Sequence, residues 1–246
     1  NFGPINYMAS QDGFTLYDTV TYNYRHNEAN GEDNHDGSDY NYSWNCGVEG
    51  ASRKQAIRRL REQQLRNAFL MLLLSQGTPM IYGGDEFGNS QNGNNNAWCQ
   101  DNSVGWTDWK CMKKQEKLFF FVKKAIAFRK DHPILHMPNE LRSVDYMAKG
   151  FPDVSFHGER AWFLKMENTS RLIGIMYCGA YAQKPDGTDD DFLYIGYNFH
   201  WEKRNIALPN LPDGMTWKKI ADTSDQEEKN WFCEGEETYK KTIDIN

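Results

Sequence analysis

The sequence predicts an α/β segment with a parallel sheet, followed by an antiparallel all-β half. Three observations carry this reading. Before residue 132 the order is strand, helix, strand, helix, and two strands joined through a helix lie parallel. Beyond Pro138 the pattern switches to short alternating runs separated by Gly, Pro and Asp turns, as in a β-sandwich. Two parallel strands cannot close a barrel or bury both faces of a sheet, so the first part reads as an unfinished domain whose missing strands lie upstream. The boundary falls between Pro133 and Pro138, which gives domains at 1–135 and 136–246.

The first strand is expected at Ile5 to Ser10, a short and largely apolar run that enters a polar loop, as a buried strand does. Residues 12 to 51 are rich in Asn, Asp, Gly and Tyr, and so long an irregular stretch in a compact domain is a candidate functional loop. Ser52 and Gln55 have capping-box spacing. Ile57, Leu60, Leu65, Ala68 and Leu72 then share one face, predicting a helix over 53–75 that stops at Gly77 and Pro79. Pro79 to Tyr82 reads as a second buried strand and 83 to 112 as a second polar loop. Leu118, Phe121, Val122, Ala125 and Ile126 predict a helix over 115–131, ended by His132-Pro133. In the second half, strands are expected at Ala161 to Met166, Leu172 to Cys178, Phe192 to Phe199, Asn205 to Leu208 and Thr216 to Ile220.

The formal net charge of the 246 residues is -6, and no basic run neutralises phosphates, which excludes nucleic acid as a partner. The longest apolar run, Phe69 to Leu74, is too short to cross a bilayer, so no membrane partner is expected. The five cysteines lack CxxC spacing and suggest neither zinc nor a disulfide framework. A reducing, cytoplasmic setting is the expectation, with secretion as the alternative. Aromatic residues make up 14% of the chain, with 8 Trp and 13 Tyr. That suits sugar stacking and a well-packed β domain equally.

Asp12, in Gln11-Asp12-Gly13-Phe14-Thr15, follows the first strand directly. In a (β/α)8 barrel that position lies at the C-terminal face, where active sites sit. Taken alone, an Asp before Gly is more often a turn or cap residue. Asp85 and Glu86 end the second strand, and adjacent residues on extended chain point to opposite sides, so a loop-anchoring role is favoured over joint catalysis. The run Asn94, Asn95, Asn96 and Asp101 in the second loop either line sugar subsites, since amides donate to and accept from hydroxyls, or cap turns. Glu32 to Gly37 has the alternation of a calcium loop, but Glu32 stands where Asp belongs and Ser43 where a bidentate Glu is needed, so no metal is assigned. His26 and His35 read as loop hydrogen-bonders, and no Ser or Cys has the surroundings of an activated nucleophile. No cofactor is expected.

Three strings stand out together: Asn27-Glu28-Ala29-Asn30-Gly31-Glu32, Gly77-Thr78-Pro79-Met80-Ile81-Tyr82-Gly83-Gly84-Asp85-Glu86-Phe87-Gly88 and Gly93-Asn94-Asn95-Asn96-Ala97-Trp98-Cys99-Gln100-Asp101-Asn102. In this order, with Asp12, the chain resembles the glycogen debranching enzymes and isoamylases of the α-amylase superfamily. The likeness is dense from about residue 4 to 131. Residues 139 to 246 resemble that family's C-terminal β domain by position and strand pattern.

The resemblance implies the last βαβα part of a (β/α)8 barrel, with the upstream barrel as its natural partner and α-glucan (glycogen, amylopectin or limit dextrin) as ligand. It implies a retaining glycosidase for α-1,6 branches, with Asp12 in the place of the carboxylate that stabilises the transition state. The family has His before this Asp, whereas Gln11 stands here and can bond a sugar hydroxyl but carry no charge. No segment matches the family's nucleophile or acid/base motifs, so the isolated chain is expected to be inactive. A non-catalytic glucan-binding protein derived from such an enzyme is the alternative. Unpaired strand edges also predict self-association.

Overall fold

A computed structural model describes residues 3–225, 231–232, 238–239 and 241–245. Contacts divide the chain into one compact unit from Gly3 to Ala127 and a second from Phe128 onward.

In the first unit, strand β1 (Ile5–Asn6) pairs parallel with β2 (Thr78–Pro79), with Ile5 opposite Thr78 and Asn6 opposite Pro79. Parallel pairing is as predicted, but both strands are shorter than the sequence suggests, and β1 is not buried. Ile5 is 64% and Tyr7 58% exposed. A ladder with a partner on one side only has nothing to extend it or to cover its free edge. Helix α1 (Leu16–Thr19) lies within the first loop. Helix α2 (Gln55–Leu73) crosses from β1 to β2 and buries Arg61, Leu65, Phe69, Leu72 and Leu73. The predicted capping box does not form: Lys54 is the N-cap, and Ser52 Oγ accepts from Lys54 N instead. Gly77, at φ +92°, ends the crossover where a Cβ would sit 2.7 Å from Pro4 O, so only glycine lets β1 approach. After the short helix α3 (Lys110–Lys114), helix α4 (Glu116–Asp131) buries Leu118, Phe121, Val122 and Ala125, the stripe that its spacing predicts.

The second unit is built of small antiparallel sheets. Strands β3 (Val154–His157), β4 (Leu172–Tyr177) and β5 (Leu193–Asn198) form one, with Ser155 opposite Met176 and Met176 opposite Tyr194. Strands β6 (Arg204–Ala207) and β9 (Thr242–Ile245) form a second, and β7 (Trp217–Lys218) and β8 (Thr238–Tyr239) a third. Met176, Leu208 and Trp217 form one buried cluster, with Phe151, Phe192, Tyr194, Leu211, Tyr239 and Ile243 packed on it. The strand expected at Ala161 to Met166 is instead a tight turn, bridged between Arg160 and Phe163, with Trp162 at φ +64°. Strand β3 was not expected. Pro152-Asp153 before it and Gly158 after it leave only four residues of alternation, too short a run to stand out.

Candidate functional site

The site is assembled from the two polar loops that follow β1 and β2. Asp12 sits in the first of them. Its backbone is turned by Ser10, whose Oγ accepts from Asp12 N at 3.2 Å. Gln11 and Asp12 are both exposed, and the Asp12 carboxylate makes no hydrogen bond or ion pair among the described residues. A short exposed carboxylate held on a turned backbone is free to meet a ligand.

The segment that carries Asp12 is tied down on either side. Upstream, Asn6 Nδ2 donates to Gln76 O at 2.6 Å and Met80 N donates to Asn6 O. Downstream, Leu16 N, at the start of α1, donates to Asp85 Oδ1 at 2.8 Å. The reverse tie comes from Asp18, which accepts from Ser90 Oγ, from Gln91 N at 2.8 Å and from Gly93 N at 3.3 Å. Each loop therefore lends one buried carboxylate to the other's donors. Asp85 has the anchoring role its position suggested, while Glu86 bends back so that its Oε2 accepts from Gly84 N. Burial raises Asp18 to about 6 against the bonds it accepts. Burial, with the charges of Glu86 and Asp18, raises Asp85 to about 7 against its bond from Leu16. Asp18 was missed in the sequence, although Thr15 and Asp18 have capping-box spacing, and Thr15 Oγ1 does accept from Asp18 N.

The asparagine run is placed differently from Asp12. Asn94 and Asn95 are buried. Asn95 Oδ1 accepts from Asn27 Nδ2 at 2.8 Å while Asn95 N donates to Asn27 Oδ1 at 3.0 Å. Asn95 Nδ2 donates to Ser38 O and Asn41 Oδ1, and Asn94 Nδ2 donates to Asn30 Oδ1. Asn96 Nδ2 donates to Asp36 Oδ2. These amides lock one loop to the other, and their sequence offered sugar contact and turn capping without this third role. Asn30 and Asn96 hold the Asp36 carboxyl below its ordinary range by donating to it. Asp101 is exposed and accepts from Trp106 Nε1 at 3.0 Å. From α2, the buried Arg61 donates to the carbonyls of Thr21, Asn45, Val48 and Gly50, which fixes the first loop to the helix. A charged residue four before Leu65 on the buried stripe was the available signal for Arg61.

Neither of two other constellations forms a reaction centre. Ser155 Oγ and His157 Nε2 are 2.8 Å apart, but Trp162 N donates to His157 Nδ1 at 2.8 Å. Nε2 therefore carries the proton and donates to Ser155, so the imidazole is no base for it. Burial lowers His157 to about 4 and keeps it neutral. His132, Asp190 and Asp191 could bring three ligand atoms together. Their carboxylates already serve His132, Lys184 and the Ile134 N–H, which describes an ion-paired brace and not a cation site.

The chain has relatives among known proteins. It is 36% identical over 237 residues to the glycogen operon protein GlgX homolog of Mycobacterium tuberculosis, covering 90% of this chain and 32% of that protein. It is 36% identical over 221 residues to the chloroplastic isoamylase 1 of Arabidopsis thaliana, covering 89% of this chain and 26% of that protein. Among solved structures, a pullulanase complexed with maltotetraose from Anoxybacillus sp. LM18-11 superposes with a TM-score of 0.57 at 20% identity, covering 98% of this chain and 26% of that one. At that identity the likeness is one of fold. The chain thus spans about a third or less of the curated relatives it matches. No family model matches it.

Proposed function

We propose that this chain, similar over 89% of its length to a chloroplastic isoamylase, is the C-terminal part of a glycoside hydrolase that cleaves α-1,6 branches in glycogen or starch-like glucans. In this reading residues 1–135 supply the last βαβα of a (β/α)8 barrel, and residues 136–246 form a β-sandwich domain. The remaining barrel strands continue the sheet from the free edge of β1. The single observation that carries the reading is the contrast among the carboxylates of the two loops. Asp18 and Asp85 are buried and bonded, whereas Asp12, at the family's position for the transition-state carboxylate, is exposed and unpartnered.

A carboxylate at that place acts on the sugar ring. As the glycosidic bond breaks, positive charge develops over the anomeric carbon and ring oxygen, and a fixed negative charge beside it lowers the barrier. Asp12 also accepts hydrogen bonds from ring hydroxyls that strengthen as the ring flattens. Gln11 donates to and accepts from neighbouring hydroxyls without contributing charge, and Asn96 and Asp101 rim the same loops. Asn94 and Asn95 act by holding the loops in register. The nucleophile and the acid/base lie outside these 246 residues, so the chain alone does not hydrolyse glycosides. α-Glucan is the ligand, in keeping with the maltotetraose of the pullulanase neighbour, and a reducing, cytoplasmic setting suits free thiols at Cys46, Cys99, Cys111 and Cys178.

The test is the full-length protein incubated with glycogen, with the first anomer released followed by NMR. Linear chains released as the α-anomer support the reading, and the β-anomer contradicts the retaining mechanism. One observation, Gln11 in place of the family's His, favours a second reading: a glucan-binding protein without catalysis. It predicts that the full-length protein binds glycogen but releases nothing, and that Gln11→His does not restore release.

A further inference from the structure

We propose that the turn from Ala97 to Trp106 is a rigid aromatic platform for an α-glucan chain, with Trp106 and Trp98 as its sugar-stacking faces and Asp101 as the residue that orients Trp106. This rests on the glucan reading above and gives the second loop a binding role that Asn94 and Asn95, buried in the loop contacts, do not supply.

Trp106 is 59% and Trp98 70% exposed, so one short turn presents two large apolar rings to solvent. The Trp106 indole and the backbone of the turn are nonetheless fixed. Trp106 Nε1 donates to Asp101 Oδ1 at 3.0 Å, and Trp106 N donates to Asn102 O at 2.9 Å. A Cβ on Gly105 would lie 2.2 Å from Gln100 O and 3.5 Å from Ala97 O, so the stretches that carry the two indoles pack backbone against backbone. Gln100 Nε2 fastens the turn to the first loop through Ala29 O at 2.9 Å and Asn30 Oδ1 at 2.8 Å.

An indole whose N–H is already bonded at its edge presents an apolar face with no unmet polar demand. Such a ring, fixed beforehand, binds with little loss of side-chain freedom. The ligand with matching chemistry has flat apolar C–H faces bordered by hydroxyls, which describes pyranose rings in sequence. The exposed amides and carboxylates around the turn can meet the hydroxyls. Asp101 is thereby a positioning residue, acting on the sugar through Trp106.

The experiment titrates the full-length protein with maltoheptaose, read by calorimetry and by tryptophan emission. Wild type is expected to bind with a change in emission. Trp106→Ala should weaken binding by about tenfold or more, with Trp106→Phe, which keeps a ring but loses the N–H, falling between. Asp101→Ala should behave like Trp106→Phe, and Asp101→Asn should bind like wild type, because its amide oxygen still accepts the indole proton. Trp106→Ala binding within about twofold of wild type, or Asp101→Asn losing as much as Asp101→Ala, would overturn the platform. If wild type debranches glycogen while Trp106→Ala binds normally, only the platform fails. If wild type neither debranches nor binds maltoheptaose, the glucan reading fails and the platform with it.

Discussion

At the scale of single residues, the loops separate carboxylates by environment. Asp85 is raised to about 7 by burial and by the charges of Glu86 and Asp18, while an unfolded Asp titrates near 4. Between those values the folded state holds a proton that the unfolded state has lost. This contribution to stability is present at low pH and fades as pH rises towards 7. Asp85→Asn keeps an acceptor for Leu16 N and removes the titration. Its stability relative to wild type should therefore rise by on the order of a few kcal/mol between about pH 4 and pH 7, measured by urea unfolding at a series of pH values. A difference that is flat with pH would show that Asp85 is ionised throughout. The prominence of Asp12 was legible from its place after a strand, but its freedom from partners was not. Which carboxylates are buried depends on where two loops meet, and Asp18 and Ser90 are 72 residues apart.

At the scale of elements, helices were more legible than strands or loops. α2 and α4 announce themselves because their own periodicity defines the buried face. β1 and β2 were overextended because strand length depends on partners that local sequence does not contain. The long first loop reads as irregular, yet it is a built structure organised from α2 by Arg61. Arg61→Ala removes a donor from four buried or part-buried carbonyls. It should cost roughly 2 kcal/mol or more in urea unfolding and open residues 40–50 to limited proteolysis. Unchanged protease resistance would mean that the loop is held by Glu49 and the asparagine contacts alone. Glu49 accepts from Asn23 N, Tyr24 N and Asn45 Nδ2.

At the scale of the whole molecule, the two-stranded sheet of β1 and β2 and its unpaired edge matter most. Among the described residues β1 pairs with β2 alone, and Ile5 and Tyr7 stand exposed. Met8, Met71 and Leu72 line an open groove of about 340 Å³ beside them. Such an edge invites another strand. The isolated chain is expected to associate at micromolar concentration in light scattering, and Ile5→Lys should shift it towards monomer. A wild-type chain that remains monomeric would show that the edge is protected. The alignment with the glycogen operon protein GlgX homolog takes in 90% of this chain and 32% of that protein, and in the proposed reading the rest of such a protein supplies the neighbouring strands and the remaining catalytic groups.

The most direct test is the release of linear chains from glycogen by the full-length protein, comparing wild type with Asp12→Asn. Asn preserves size and hydrogen bonding but removes the charge that would face the developing oxocarbenium ion. The account predicts a fall in kcat of roughly a hundredfold or more with the fold intact. Equal rates for the two proteins would contradict it, because the exposed carboxylate after β1 would then take no part in the reaction.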